Sequence, residues 1–174
     1  GLLEAGVNNY LAAFGQTRQE ESPALAWVDM STGDVQIFAG TFEAIQGRLA
    51  GLMPRELLLP DSLPPEKQGL LAESCGDVAV TELTTSQSNS ESGHAALVAA
   101  YQVTTLEGFG DWSRSMYAAG GSLINYLTLT QLGKLPNLKP PRLMLADDRM
   151  RIDAATCQNL ENYCWKISVK ISGT

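Results

Sequence analysis

The spacing of apolar residues changes at Thr41, and this change limits the possible folds more than any other feature of the sequence. Before it, residues 9–14 are a short strand candidate and residues 24–30 are a second one that is bulky and apolar. Residues 34–40 alternate apolar with polar side chains, as strands do. Turn-forming residues at 31–34 join the last two segments, which predicts an antiparallel hairpin. After Thr41, apolar residues recur every three or four positions, which is typical of a helix face.

The rest of the chain alternates between helical and strand patterns. Helices are predicted at residues 42–52, 66–72, 95–101, 112–130 and 154–162, and strands at residues 56–59, 78–81 and 143–146. The candidate N-caps of three of these helices are Thr41, Asp111 and Asp153. Hairpin strands followed by alternating helices and strands predict an α/β fold, in which a mixed central sheet carries helices on both faces.

Two segments within this pattern carry specific expectations. Residues 84–93 are rich in Ser and Thr and poor in apolar side chains, so we expect a mobile surface loop there. Gly120 and Gly121 lie in the middle of the longest predicted helix, where each lowers helix propensity by about 1 kcal/mol relative to Ala. A close approach of this helix to a sheet is the expected compensation.

Charge and cysteine content exclude several classes of function. Twelve Lys and Arg against nineteen Asp and Glu give a formal charge of −7, opposite to the balance of proteins that bind nucleic acid strongly by themselves. No apolar run approaches the roughly 18 residues of a membrane span, and no export signal is visible, so a soluble cytoplasmic chain is expected. Cys75, Cys157 and Cys164 form no CxxC pair, which favours reduced thiols over a disulfide framework or a zinc site.

Asp29 is the sharpest candidate for chemistry. It ends an apolar strand and opens the hairpin turn, a position where a carboxylate can hold Mg²⁺ in ribonuclease H-like nucleases. Two-metal chemistry needs several converging carboxylates, and the chain otherwise offers Asp147, Asp148 and Glu56. The alternative, which we favour, is an Asx or ST turn that closes the hairpin.

Other candidate groups favour structural roles. His94 is the single histidine and is expected on a helix surface, and no GxSxG sequence accompanies it. Asp147, Asp148, Arg149 and Arg151 are interpreted as a solvated charged loop. The aromatic residues Trp27, Phe109 and Trp112 are expected to pack in the core rather than to stack on bases. Without a GxGxxG or Walker A sequence, no cofactor is expected in this chain.

Seven segments, in order along residues 7 to 162, together resemble the connector domain, or domain II, of the MutS family of bacterial mismatch-repair proteins. They are residues 8–13 (NNYLAA), 25–33 (LAWVDMSTG), 54–58 (PRELL), 108–110 (GFG), 118–120 (AAG), the Tyr126, Leu127, Thr130 and Gln131 group, and 153–156 (DAAT) with Asn159, Leu160 and Glu161. The motif residues whose roles are expected to be structural are Asp29, Ser31, Thr32, Gly33, Gly108, Phe109, Gly110 and Asp153. The chain departs from the family at Cys157 and Gln158, where basic residues are common, and residues 163–174 match nothing.

The resemblance implies a ribonuclease H-like fold without catalytic activity. Residues 1–152 would be the connector, and residues 153–174 the start of the lever region with an unplaced tail. The connector would link the mismatch-recognition domain to the lever and ATPase parts and offer a surface to MutL. ATP, Mg²⁺, DNA contact and homodimer formation would belong to the parent protein. Two alternatives remain open: an Mg²⁺-dependent nuclease using Asp29, and an interaction module unrelated to repair.

Overall fold

The computed structural model describes residues 9–18, 21–132 and 135–145. Six strands are present in this part: β1 (Tyr10–Gly15), β2 (Ala24–Asp29), β3 (Val35–Ala39), β4 (Glu56–Pro60), β5 (Ala79–Leu83) and β6 (Arg142–Leu145). Five α-helices accompany them: α1 (Phe42–Leu52), α2 (Pro65–Cys75), α3 (Thr85–Ser88), α4 (Ser90–Tyr101) and α5 (Arg114–Thr130). A 3₁₀ turn, Glu107–Phe109, precedes α5.

The strands form one mixed sheet in the order β5-β4-β1-β2-β3-β6. β1, β2 and β3 form an antiparallel meander, whereas β4 pairs parallel with β1 and β5 pairs parallel with β4. A three-stranded meander extended by two parallel crossover strands is the ribonuclease H-like arrangement, so the predicted fold class is confirmed. In this register β1 is flanked at one end by Asp29 opposite Tyr10 and by Glu56 opposite Leu11.

Helices cover both faces of the sheet. On one face, α5 packs through Met116, Ala119, Leu123 and Leu127 against alternate strand residues that include Ala13, Ala26, Ile37 and Leu58. On the other face, the ring of Phe42 in α1 lies 6.0 Å from that of Phe14. The guanidinium of Arg48, also in α1, lies 4.5 Å from the ring centre of Phe38. The side-chain alternation of the strands therefore produces two apolar layers.

Side-chain caps fix where two of the helices begin. Thr41 caps α1 as predicted, because its hydroxyl accepts a hydrogen bond from the backbone N–H of Ala44 at 3.0 Å. The prediction that Asp111 caps the longest helix is wrong. Ser113 is the N-cap of α5, and its hydroxyl accepts from the N–H of Met116 at 3.2 Å. The helix starts two residues later than expected because Ser113 is the polar residue immediately before its first turn.

The prediction of a mobile loop at residues 84–93 is also wrong. This segment contains α3 and the first turn of α4. The side chain of Gln87 accepts from the N–H of Thr84 at 3.0 Å, and that of Asn89 accepts from the N–H of Ser92 at 2.7 Å. Polar residues that suggested a loop are therefore the caps of two consecutive helices.

Two contacts of α5 are made backbone to backbone. A methyl group on Gly15 would lie 2.5 Å from the amide nitrogen of Ala119 in α5, and one on Gly121 would overlap Cα of Gly93 in α4. A methyl group on Gly120 would lie 3.0 Å from the side-chain Cδ1 of Ile37 in β3, so this helix makes the expected close approach to the sheet. The same expectation is wrong for Gly121, which meets α4 instead. These contacts set α5 tightly between the sheet and α4.

Several sequence predictions fall outside the described residues. The described residues up to Leu143 belong to one compact unit, and of the second unit, Met144–Thr174, the structure describes only Met144 and Leu145. The predicted boundary at residue 152, the helix at 154–162, Asp153 and the tail therefore stay predictions. Cys75 is a buried free thiol whose pKa burial raises to about 11. Among the described helices, none is long and apolar enough to span a membrane.

Candidate functional site

The turn that follows β2 is built around the carboxylate of Asp29. Its Oδ1 accepts hydrogen bonds from the N–H of Ser31 at 2.9 Å and from the Ser31 hydroxyl at 2.6 Å. Its carbonyl accepts from the N–H of Gly33 at 2.7 Å, and Gly33 has a φ of +82°. Acceptance of the N–H two residues later by a side-chain carboxylate is the geometry of an Asx turn, so these bonds close the hairpin locally.

The hydrogen bonds of the turn also set the acidity of Asp29. The hydrogen bond donated by the Ser31 hydroxyl is the main cause that lowers the pKa of Asp29 below its usual value. Partial burial raises this pKa, and the hydrogen bond from the Ser31 N–H lowers it further. The carboxylate is thus held ionised as the acceptor of a local turn.

Asp29 and Glu56 flank β1 at the same end, but they face opposite sides of the sheet. Because side chains alternate along a strand, Asp29 lies on the same face of the sheet as Trp27. Glu56 lies on the face covered by α5, where it is hydrogen-bonded to Tyr126. Among the described residues, no three His, Cys, Asp or Glu side chains lie close enough to hold a metal ion together. Asp147 and Asp148 lie outside the described residues. The described geometry therefore gives no support to a two-metal centre at Asp29.

Replacing Asp29 with Asn tests the assignment as a turn residue. We expect a loss of less than about 1 kcal/mol in unfolding free energy at pH 7, because the bonds are partly exposed and Asn still accepts them. The folded pKa lies below the unfolded value, so the carboxylate stabilises the fold above pH 4 or so and the effect is lost as the pH falls through the folded pKa. Urea titrations at pH 7 and at pH 3 should show a smaller stability difference between the two proteins at the lower pH.

The segment Gly108, Phe109 and Gly110 joins α4 to α5. The ring of Phe109 lies 5.5 Å from that of Tyr101, and the indole N–H of Trp112 donates to the carbonyl of Leu106 at 2.9 Å. Trp27 is 3% exposed, which confirms its predicted core position, whereas Trp112 and Phe109 are only partly buried. These aromatic residues therefore attach the α4–α5 connection to the domain.

His94 occupies the exposed surface of α4, as expected. Its ring meets that of Tyr117 edge-on at 4.8 Å between ring centres, and Tyr117 in turn stacks on Trp112 at 5.3 Å. His94 is thus in ring contact with α5, and the contacts described here hold it by packing rather than as part of a catalytic triad.

A cavity of about 310 Å³ lies where β1 and β4 begin. We name it the amino-end cavity, and its lining consists of Asn9, Tyr10, Leu11, Met30, Arg55, Glu56, Tyr126, Leu127, Thr130 and Gln131. All ten residues belong to four of the segments that carry the family resemblance. The fold therefore brings these separate segments together around one polar opening.

Glu56 is the central side chain of this cavity. Its Oε2 accepts hydrogen bonds from the hydroxyl of Tyr126 at 2.5 Å and from that of Thr81 at 2.7 Å. Donation to Glu56 is the first cause that raises the pKa of Tyr126. The sequence showed Glu56 only as an isolated carboxylate before a strand, because its partners lie 25 and 70 positions away along the chain.

The identity of the domain follows from comparison with known proteins. Residues 9–139 match the family model described as MutS domain II. The chain belongs to the MutS domain II family. Proteins named DNA mismatch repair protein MutS are 43% identical to it in Cereibacter sphaeroides, 41% in Ruegeria pomeroyi and 40% in Paracoccus denitrificans, each over 160 residues.

The alignments cover 92% of this MutS domain II chain but only 18% of each of these relatives. The chain thus spans less than a fifth of their length. Among solved structures, T. thermophilus RuvC in complex with Holliday junction substrate aligns with a TM-score of 0.44 and 11% identity, covering 71% of this chain and 96% of that one.

Proposed function

We propose that this MutS domain II is a non-catalytic connector within a DNA mismatch repair protein of the MutS type. It links the mismatch-recognition domain to the lever and ATPase parts of that protein. The family match over residues 9–139 carries the proposal, together with relatives of whose length the alignment covers only 18%. Mismatched DNA, ATP and Mg²⁺ are then bound by other parts of a cytoplasmic, homodimeric parent protein.

Two features of the chain support a connector. The helix α5 contacts β1 and α4 through backbone atoms at Gly15 and Gly121, so the sheet and these helices move as one body. A rigid body of this kind transmits displacement between the domains attached to it. The charge of −7 keeps the connector from competing with its neighbours for the DNA backbone.

The positions of the two carboxylates do not support the nuclease alternative. Asp29 is engaged by its own turn, and Glu56 is engaged by Tyr126 and Thr81 on the opposite face. Incubation of the chain with an RNA/DNA hybrid and Mg²⁺ should leave the hybrid intact. Cleavage that disappears in Asp29→Asn would restore the nuclease hypothesis.

We further propose that the connector offers a surface to MutL. The test is a pull-down of the 174-residue chain with the N-terminal half of MutL, with and without a crosslinker. We expect MutL to be retained, at least in the crosslinked sample. The matched control is the variant Gly121→Ala, whose helix packing is disrupted, and it should retain less MutL if the folded surface is recognised. No association of the folded chain in either format would remove MutL from the proposal.

A further inference from the structure

The amino-end cavity contains a carboxylate oxygen, Glu56 Oε1, that accepts no hydrogen bond from the described residues. Both hydroxyl donors of Glu56, from Tyr126 and Thr81, bond the same oxygen, Oε2. Within the described residues no donor reaches Oε1. Among the described residues, Ser92 Oγ is the single side-chain polar atom that is both buried and without a hydrogen-bond partner. Since Oε1 has no partner and is not that atom, it is accessible to solvent. The carboxylate is therefore held in place with one acceptor free at the cavity wall.

The C-terminal end of α5 adds to the negative potential of the cavity. Thr130 is the last residue of this 17-residue helix, and Thr130 and Gln131 both line the cavity. The last turn of α5 contains no basic side chain. Its terminal carbonyl groups therefore carry the partial negative charge of the helix end without a cation nearby on the same helix.

Size and chemistry together indicate the kind of ligand. A cavity of about 310 Å³ is at the lower limit for small-molecule sites, which suits a side chain better than a cofactor. A planar guanidinium carries five N–H donors in a fixed fork and is weakly hydrated, so it can bond Glu56 Oε1 and still direct positive charge toward the C-terminal end of α5.

We propose that the amino-end cavity binds the guanidinium group of an arginine presented by another segment of the parent polypeptide. This inference rests on the proposed connector function, which requires neighbouring domains of the same protein. It identifies the chemistry of one contact between the connector and those domains.

The positively charged side chain of Arg55 would repel a cation bound in the amino-end cavity. It lines the cavity, and in the described part of the chain no carboxylate lies within ion-pair distance of its guanidinium. Its positive charge therefore lowers the affinity for an incoming arginine. Removing the charge of Arg55 should therefore strengthen the binding of arginine. If Glu56 had only a structural role, this substitution would not change arginine binding.

The test is a titration of the ¹⁵N-labelled 174-residue chain with N-acetyl-arginine amide, followed by NMR. The neutral analogue N-acetyl-citrulline amide is titrated in parallel. We expect saturable shifts of the amide signals of Glu56, Tyr126 and Thr130 with the arginine probe, and affinity weaker by about tenfold with the citrulline probe. Glu56→Gln should weaken arginine binding by about tenfold, because glutamine keeps an acceptor for both hydroxyls but loses the charge.

Two further variants make the experiment specific. Arg55→Gln should tighten arginine binding by about threefold. Glu82→Gln is the matched control, since Glu82 is an exposed carboxylate on β5 that accepts from Gln68 outside the cavity, and it should bind like the parent chain. Equal shifts with both probes, an unchanged affinity in Glu56→Gln, or no shifts at these residues would overturn the proposal. Because neither MutL nor DNA is present, such a failure is separate from a failure of the connector proposal.

Discussion

Replacing Gly121 with alanine is expected to destabilise the domain by about 3 kcal/mol or more. The added methyl group would overlap Cα of Gly93 and lie 2.7 Å from its carbonyl carbon and 2.8 Å from its carbonyl oxygen. These are backbone atoms of Gly93, which is a buried residue of α4, so no side chain can rotate to make room. The helices α4 and α5 would have to separate, and this would loosen the packing of α5 on the sheet.

Urea unfolding followed by circular dichroism measures this effect, and Gly47→Ala is the matched control. Gly47 lies on the exposed side of α1, and a methyl group there would meet no atom within 4 Å. This substitution should stabilise the domain by about 0.5–1 kcal/mol, because alanine favours the helix. A Gly121→Ala protein as stable as Gly47→Ala would show that α4 and α5 do not approach as closely as described.

The same contact explains why residues 84–93 were mispredicted. Their polar composition suggested that nothing in the segment could anchor a core, yet Gly93 is buried and makes the closest approach to α5. Because glycine has no side chain, it allows two backbones to pack closely but adds no apolar residue to the sequence pattern. The anchoring of this segment was therefore invisible to a prediction based on apolar side chains.

Local features of the fold could be predicted from the sequence, whereas long-range ones required the structure. The meander, the Thr41 cap and the Asp29 turn depend on residues a few positions apart, and each was found. The strand order depends on which crossover strand lies beside β1, and periodicity carries no such information. The Glu56 cluster joins β4, β5 and α5, so no local motif could indicate it.

Gly33→Ala is expected to cost about 3 kcal/mol, the second-largest effect proposed here. Gly33 has a φ of +82°, and a methyl group on it would overlap the carbonyl oxygen of Asn137. The turn is also joined to the segment after α5, because the N–H of Lys139 donates to the carbonyl of Gly33 at 2.9 Å. Alanine would therefore strain the turn and push away the chain that leads to β6.

Gly76→Ala separates these two causes. Gly76 has a similar φ of +75°, but a methyl group there would meet only the terminal carbon of Met53 at 3.9 Å. Its substitution should cost only the backbone term, about 2 kcal/mol. In Gly33→Ala, but not in Gly76→Ala, the amide hydrogen of Lys139 should also exchange with solvent at least about tenfold faster, as NMR hydrogen exchange would measure. Of the two glycines, Gly33 is the one in contact with the segment after α5. Equal stabilities of the two variants, with Lys139 equally protected, would therefore mean that Gly33 does not hold this segment.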